Sequence, residues 1–258
     1  VGAVARRVLH VRDKVLKMKY VLISDIHANL PAFRSVAGTF PGGESAILCA
    51  GDVVGYGAEP NECVDMTLSL GARCVMGNHD AAAAGAADIN CFNEWAKEAV
   101  RWTRSRLSSG SRGFLEALPM VIIDDDITVV HGTLHSPEEF MYMDTGAKAM
   151  HTFEAMDNNV CFLGHSHVPG FFTLREGKVY YSSYKRRLRM EKGLKYIVNV
   201  GSVGQPRDGD NRACYCVYDP ERKEVEFRRV EYDVTSARES IIKAGLPEYL
   251  GDRLTRGR

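Results

Sequence analysis

Residues 19–27 read KYVLISDIH, a short apolar run that ends in Asp25-Ile26-His27. The same pattern recurs as SAILCAGD at 45–52, ARCVMGNHD at 72–80, ITVVHG at 127–132 and VCFLGHSH at 160–167. Each apolar run has the length and composition of a buried strand. Between the first three lie helical stretches opening at Pro31 and Pro60, where proline suits the first turn. This alternation predicts parallel strands with crossover helices, and so an α/β fold. Open α/β sheets bind ligands beyond the carboxyl ends of their strands. Five polar clusters at such ends, holding five of the eight histidines, therefore predict one shared site.

Working outward, residues 90–108 form an amphipathic pattern in which Phe92, Trp95, Ala99, Trp102 and Leu107 approximate one face, and the Trp95/Trp102 stripe reads as core. Ser111 is placed to cap a shorter helix ending near Leu118. After Pro119 the chain turns strand-rich, with strands expected near 120–123, 127–131, 160–163, 170–174, 178–182, 195–200, 213–219 and 223–232. Helices are expected near 145–156 and 234–244. Glu176-Gly177-Lys178 reads as a hairpin turn, and KRRLRMEKGLK at 185–195 as a solvated basic loop or, in preference, an exposed hairpin extension. No linker splits the chain. Residues 1–17 precede the first methionine, Met18, and are set aside as an N-terminal extension to a single domain over 18–258.

The 258 residues carry no formal net charge, so neither an extended nucleic-acid groove nor a membrane surface is an expected partner. No apolar run approaches the ~18 residues of a spanning helix, and the N-terminal stretch lacks the apolar core of a secretory signal. Seven cysteines without regular spacing suit a reducing, cytoplasmic setting. Cys49, Cys74 and Cys161 fall inside core strands as small hydrophobes. Cys214 and Cys216 share a strand face but lack the further ligands of a zinc site.

Two divalent ions about 3.5–4 Å apart can activate water and hold a phosphoryl centre for in-line attack. They need carboxylates to offset charge, imidazoles to tune affinity and a bridging ligand. Asp25, His27, Asp52, Asn78, His131, His165 and His167 supply that set, with Asp52 able to bridge. Two ions, two carboxylates and a bridging hydroxide leave roughly one positive charge, which suits an anionic phosphodiester. His79, beside Asn78, is placed to stabilise or protonate the leaving oxygen. Asp80 either orients His79 and raises its pKa or caps a local turn. Asn29 either reaches substrate phosphate or caps the helix beginning at Pro31. Tyr56 stacks on a nucleobase, lines the pocket or packs within its loop. Arg207 is the best phosphate contact in the loop after 195–200, unless it pairs with Asp208. His135 is either close to the metals or a loop histidine; His10 and His151 read as surface residues.

Taken in order, D-x-H, G-D, G-N-H-D, H-G and G-H-S-H resemble the calcineurin-like metallophosphoesterase superfamily over roughly residues 19–232. NVGSVGQPRDGDNRA at 199–213 and FNEWAKEAVRWTRSRL at 92–107 resemble its bacterial and archaeal branch of predicted phosphodiesterases related to diadenosine tetraphosphatase. The resemblance implies a four-layer αββα sandwich, two mixed β-sheets flanked by helices. It implies one metal on Asp25, His27, Asp52 and His167, a second on Asp52, Asn78, His131 and His165, and His79 as the catalytic histidine. It favours manganese or iron, while a mixed N/O donor set without thiolate also admits zinc, cobalt or nickel.

Departures from the pattern narrow the substrate. Tyr56 stands where phosphoprotein phosphatases and diadenosine tetraphosphatases carry an arginine, and Met76 where the former carry another. Arginine suits a bidentate grip on a dianionic phosphate. Its loss argues against a phosphoprotein and favours a monoanionic diester, or a monoester held by other groups. The expected activity is hydrolysis of a small-molecule or nucleotide phosphate ester, with a diester as the first choice, by a metal-bridging hydroxide. The alternatives are a phosphomonoesterase or dinucleoside polyphosphate hydrolase and, outside the enzymes, a non-catalytic metal-binding scaffold. The complete ligand set with His79 weighs against the scaffold.

Overall fold

The computed structural model describes residues 8–10, 18–42, 45–124 and 127–258. In chain order the strands are β1 (Val8–His10), β2 (Lys19–Ile23), β3 (Ser45–Cys49), β4 (Arg73–Cys74), β5 (Val121–Ile123), β6 (Thr128–Val130), β7 (Val160–Leu163), β8 (Gly170–Arg175), β9 (Lys178–Ser183), β10 (Arg187–Arg189), β11 (Lys195–Asn199), β12 (Ala213–Asp219) and β13 (Glu224–Val230). The helices are α1 (Leu30–Ala37), α2 (Pro60–Ser69), α3 (Asn78–Ala84), α4 (Glu94–Arg106), α5 (Ser109–Ala117), α6 (Gly146–Ala155), α7 (Val234–Lys243) and α8 (Glu248–Arg256).

The strands form two mixed sheets. One has the order β1-β5-β6-β7-β11-β8-β9 and the other β10-β13-β12-β2-β3-β4. β2, β3 and β4 run parallel in one sheet, and β6, β7 and β11 run parallel in the other. Period-two alternation explains how the sheets stack. Leu22, Leu48, Phe162, Tyr196, Val198, Cys216 and Tyr218 share one core between the sheets. Their neighbours Val21, Ile23, Cys49, Cys161, Ile197, Tyr215 and Val217 belong to a second core that also takes in Phe33, Val36, Leu115 and Phe153 from the helices. Each central strand therefore buries both faces, one on the opposite sheet and one under helices. This is the expected four-layer sandwich.

Local signals account for most element ends. Asn29 caps α1 by accepting from Ala32 N–H, and Pro60 opens α2. Glu176 and Gly177 both take positive φ, 50° and 71°, as the tight turn between β8 and β9 requires.

Several expectations change. Ser108, not Ser111, caps α5; its hydroxyl accepts the Ser111 N–H and bonds the Ser111 hydroxyl, while Ser111 itself is buried in the first turn. Part of the basic loop at 185–195 is strand β10, which pairs antiparallel with β13 and brings Arg187 and Arg189 to Glu224 and Glu226. Trp95 is 46% exposed and leaves the predicted stripe, whereas Ala99 is buried and Phe92 and Trp102 pack against the same cluster; Ala96, Ala99, Val100 and Thr103 form the fully buried face of α4. Most of residues 1–17 lie outside the described residues, but Val8–His10 pair parallel with β5. The side chain of His10 is also outside the description. α3 and α8 carry no sequence expectation. Among the described residues no helix is long and apolar enough to cross a membrane.

Candidate metal centre and active site

The five loops meet where both sets of parallel strands end. Asp25 N–H donates to Gly51 O and His27 N–H to Asp52 O, while Gly164 N–H reaches His131 O. Gly204 N–H, in the loop after β11, donates to Asp25 O and joins the two halves.

All seven candidate ligands converge there. Asp25, His27 and His167 bring one ligand atom each within 4.8 Å of one another, as do Asp52, His131 and His165; a third grouping joins His27, Asp52 and His79. Asp52 sits between the first two groups, with Oδ2 3.7 Å from His27 Nε2 and 3.3 Å from His131 Nε2. Asn78 Oδ1 lies 3.0 Å from His131 Nε2, and His165 Nδ1 lies 3.0 Å from that same nitrogen.

The donor chemistry fits cations. Nδ1 of His27, His131 and His167 faces the carbonyl of Val54, Ala50 and Gln205 respectively, at 3.2, 2.7 and 2.6 Å. An Nδ1–H donating to a carbonyl leaves Nε2 with its lone pair inward, the tautomer of metal-bound histidine. Asp25 Oδ1 and Asp52 Oδ2 are buried and have no hydrogen-bond partner. Buried carboxylate oxygens are rarely left so unless an ion completes them.

Electrostatics of the bare site point the same way. Burial depresses His27, His165 and His167 well below 6.5, so these rings are neutral and ready to ligate. Burial raises Asp25 to about 7 despite His131, and the Asp52 charge adds to the rise. Burial works to raise Asp52 too, but the His131, His79 and His27 charges hold it well below the carboxylate range. Burial opposes the proton on His131, yet Asp52 and Asp25 lift that ring to about 9.

The backbone is strained at the same place. Asp25, His27, Asp52, His165 and His167 all take positive φ, between 49° and 67°, as do Ala28 and Tyr56. Each such non-glycine residue costs about 1–3 kcal/mol, a strain that clusters at functional sites. Close approach adds a demand for glycine. A Cβ on Gly77 would overlap the Asp52 carboxylate, and one on Gly164 would overlap Ser24 Oγ and Asp25 Oδ2.

Several sequence candidates have other work. Asp80 does not orient His79. Its carboxylate accepts three backbone N–H groups, from Asp52 at 2.7 Å, Gly77 at 3.1 Å and Val54 at 3.1 Å, and so holds the Asp52 loop on the N-terminus of α3. His79 Nδ1 is buried without a partner, and burial, against the Asp52 charge, pushes the ring down to about 4. His79 is thus neutral in the bare site, not an imidazolium supported by Asp80. The Asn29 side chain is likewise engaged within the protein. Besides capping α1 it donates to Gly204 O at 2.8 Å and Tyr232 OH at 3.4 Å. Tyr56 is 6% exposed and packs on His79 and His27 at centroid distances of 4.4 and 4.7 Å, too buried to stack a free base. Arg207 does not pair with Asp208, which is taken by Arg229. Arg207 instead donates to Gln205 Oε1 at 2.9 Å and lies over the Tyr56 ring. His135 packs against His151.

A cavity of about 430 Å³ opens beside the cluster, lined by Tyr56, Asn78, His79, Phe92, Tyr142 and His165 among others. Sequence reading missed Tyr142, which stacks on His165 at 3.9 Å and 11°, and Phe140, whose ring is 6.1 Å from His131. Phe92, read only as part of a helix face, meets His79 edge-on at 4.9 Å. No motif surrounds Phe140 or Tyr142; they follow a single 3₁₀ turn at Pro137–Glu139.

Such a sandwich with such a cluster defines a phosphoesterase class, and comparison with known proteins agrees. The family described as "Calcineurin-like phosphoesterase superfamily domain" matches residues 18–223, and the chain belongs to that family. It is 37% identical to the uncharacterized protein MJ0912 of Methanocaldococcus jannaschii, over 95% of this chain and all of that one. A metallophosphoesterase structure from Sphaerobacter thermophilus superposes with a TM-score of 0.83 at 38% identity, covering 94% of this chain and all of that one. The hypothetical protein PH1004 of Pyrococcus horikoshii shares the fold, with a TM-score of 0.73 at 18% identity, over 93% of this chain and 99% of that one.

Proposed function

We propose that the chain is a binuclear-metal-dependent phosphoesterase acting on a phosphodiester. The observation that carries this reading is the pair of buried, unpartnered oxygens, Asp25 Oδ1 and Asp52 Oδ2, each facing imidazole nitrogens. Asp25, His27, Asp52 and His167 would hold one ion, and Asp52, Asn78, His131 and His165 the other. When bound, the ions would supply a hydroxide nucleophile at neutral pH and neutralise the phosphoryl oxygens. Manganese or iron is the proposed pair, and the donor set excludes neither zinc, cobalt nor nickel.

The remaining chemistry belongs to the side chains. Asp52 lies between both groups of ligands and would compensate both charges. His79 borders the cavity, and its ring would hydrogen-bond the leaving oxygen, take up a proton from water and pass it to that oxygen, ending neutral as it began. Tyr56, Phe92 and Tyr142 would exclude water around the ester. Asp80 acts through the backbone and is a positioning residue. The seven free cysteines suit a reducing compartment, and we place the enzyme in the cytoplasm.

The test is hydrolysis of bis-p-nitrophenyl phosphate by metal-stripped protein resupplied with manganese, beside p-nitrophenyl phosphate. Manganese-dependent diester cleavage is the expected result. Cleavage of the monoester alone would replace the reading with a phosphatase. Silence on both, with two equivalents of metal bound, would replace it with a scaffold.

A further inference from the structure

Two arginines from distant parts of the chain meet on one buried tyrosine. The guanidinium carbon of Arg207 lies 5.8 Å from the Tyr56 ring centroid, and that of Arg253 also lies 5.8 Å from it. Arg207 belongs to the loop after β11, where its N–H donates to His167 O at 3.3 Å. Arg253 belongs to α8, far outside the five motif loops.

Neither cation has an acidic partner. Other arginines in the C-terminal region do: Arg229 pairs with Asp208, Arg212 with Asp210, and Arg238 with Glu248 and Asp252. Among the described residues no Asp or Glu side chain pairs with Arg207 or Arg253. Arg207 Nε is buried with no partner, and only Gln205 Oε1 meets its Nη2. Arg253 Nε donates to Arg258 O at 2.5 Å, and its two Nη groups make no hydrogen bond among the described residues. Two half-buried like charges that share one ring, with the Nε of Arg207 and the Nη groups of Arg253 left over as donors, are unfavourable unless an anion joins them. Burial and then the Arg207 charge both work against the proton on Arg253.

The pair stands one ring away from the reacting centre, because Tyr56 also packs on His79 and His27. Beyond Arg253 the surface turns aromatic. Its guanidinium lies 5.6 Å from the Tyr249 ring, which stacks on the exposed Trp95 at 4.3 Å. Planar guanidinium forks match phosphate oxygens and bind them in pairs.

We propose that Arg207 and Arg253 form an anion site at the rim of the metal centre that takes a second phosphate group of the substrate. The natural substrate is then a phosphate ester that carries a further phosphate, not an isolated diester. This inference rests on the phosphoesterase reading above and adds a substrate class to it.

The test uses two chromogenic diesters with the same scissile bond, thymidine 5′-(p-nitrophenyl phosphate) and its 3′-phosphorylated counterpart, with manganese-loaded full chain. The 3′-phosphate is expected to raise kcat/KM by about tenfold or more, mainly through KM. Arg253→Gln and Arg207→Gln should each bring the ratio of the two kcat/KM values towards one, and Arg253→Lys should retain part of it. A ratio near one in the unmodified protein, or an unchanged ratio in both Gln variants, would overturn the proposal. If neither diester is cleaved, the diesterase reading fails by itself, and binding of thymidine 3′,5′-bisphosphate to metal-free protein decides the anion site. About tenfold weaker binding by Arg253→Gln supports the site; equal binding overturns it.

Discussion

His27 Nε2 lies 3.1 Å from His167 Nε2, while the Nδ1 atoms of both rings are committed to backbone carbonyls. Both rings are neutral in the bare site because burial depresses them. Two inward lone pairs at that distance repel unless a cation stands between them and Asp25 Oδ1, which is 3.3 Å from His167 Nε2. Manganese added to chelator-treated protein should therefore raise its melting temperature by on the order of 10 °C at about a thousandfold excess over Kd. Differential scanning fluorimetry reads this directly, and an unchanged midpoint would contradict the site.

Asp52 is the one carboxylate placed between both ligand groups. Asp52→Asn keeps the shape but removes the charge, so both ions should be lost and turnover abolished. Metal analysis of the purified variant, showing well under two equivalents, is the check; two equivalents retained would reject the bridging role.

His79 lines the cavity and also stands near His27 and Asp52. As a proton donor and not a ligand, its change to Asn should spare metal content and cut turnover by about 10²–10⁴-fold. Loss of metal in this variant would make His79 a ligand instead.

Asp80 ties three backbone N–H groups together. Asp80→Ala leaves buried donors without acceptors, which costs about 1–3 kcal/mol for each donor so stranded. Urea unfolding should show that loss. The pH dependence of residual activity should keep its shape, since the Asp80 carboxylate is bonded to backbone N–H groups and not to the His79 ring.

The metal-free protein should be most stable near neutral pH. Four imidazoles, His27, His79, His165 and His167, have folded pKa values below 6.5, with His79 at about 4. Below 6.5 the unfolded chain binds those protons and the folded one does not, so stability falls on acidification towards 4. Asp25 and Asp80, both raised by burial to about 7, oppose this between 3.8 and 7, but two carboxyls offset only two of the four rings. His131 is raised to about 9, so the stability it contributes is present below 6.5 and lost as pH rises through 9. Thermal melts of chelated protein from pH 5 to 9 should trace a maximum; a monotonic rise from 5 to 9 would refute it.

Much of the scaffold was legible because strand signals are local. The runs ending at Ile23, Cys49, Val130 and Leu163 carry their own length and apolar content. The capping of α1 by Asn29 was legible too, though its second role on Gly204 was not. β10 was legible only as a loop or a hairpin extension, because Arg187-Leu188-Arg189 looks solvated until β13 offers Glu224 and Glu226 across the sheet. Trp95 misled the helix reading because an exposed tryptophan carries the same apolar signal as a buried one.

By itself the sequence determined the short apolar strand runs, the five polar strand ends and the residue types that offer oxygen and nitrogen donors, since these follow from side-chain chemistry and short-range spacing. Tertiary structure alone decided which donors face one another, that Asp80 grips backbone and not the His79 ring, and that Arg229 takes Asp208 and leaves Arg207 with no acid partner among the described residues. It also decided that Arg253, from a helix with no motif, stands beside Arg207 on Tyr56. Those relationships join residues up to about two hundred positions apart in the chain, and only the stacking of two sheets under their helices brings such residues within bonding distance.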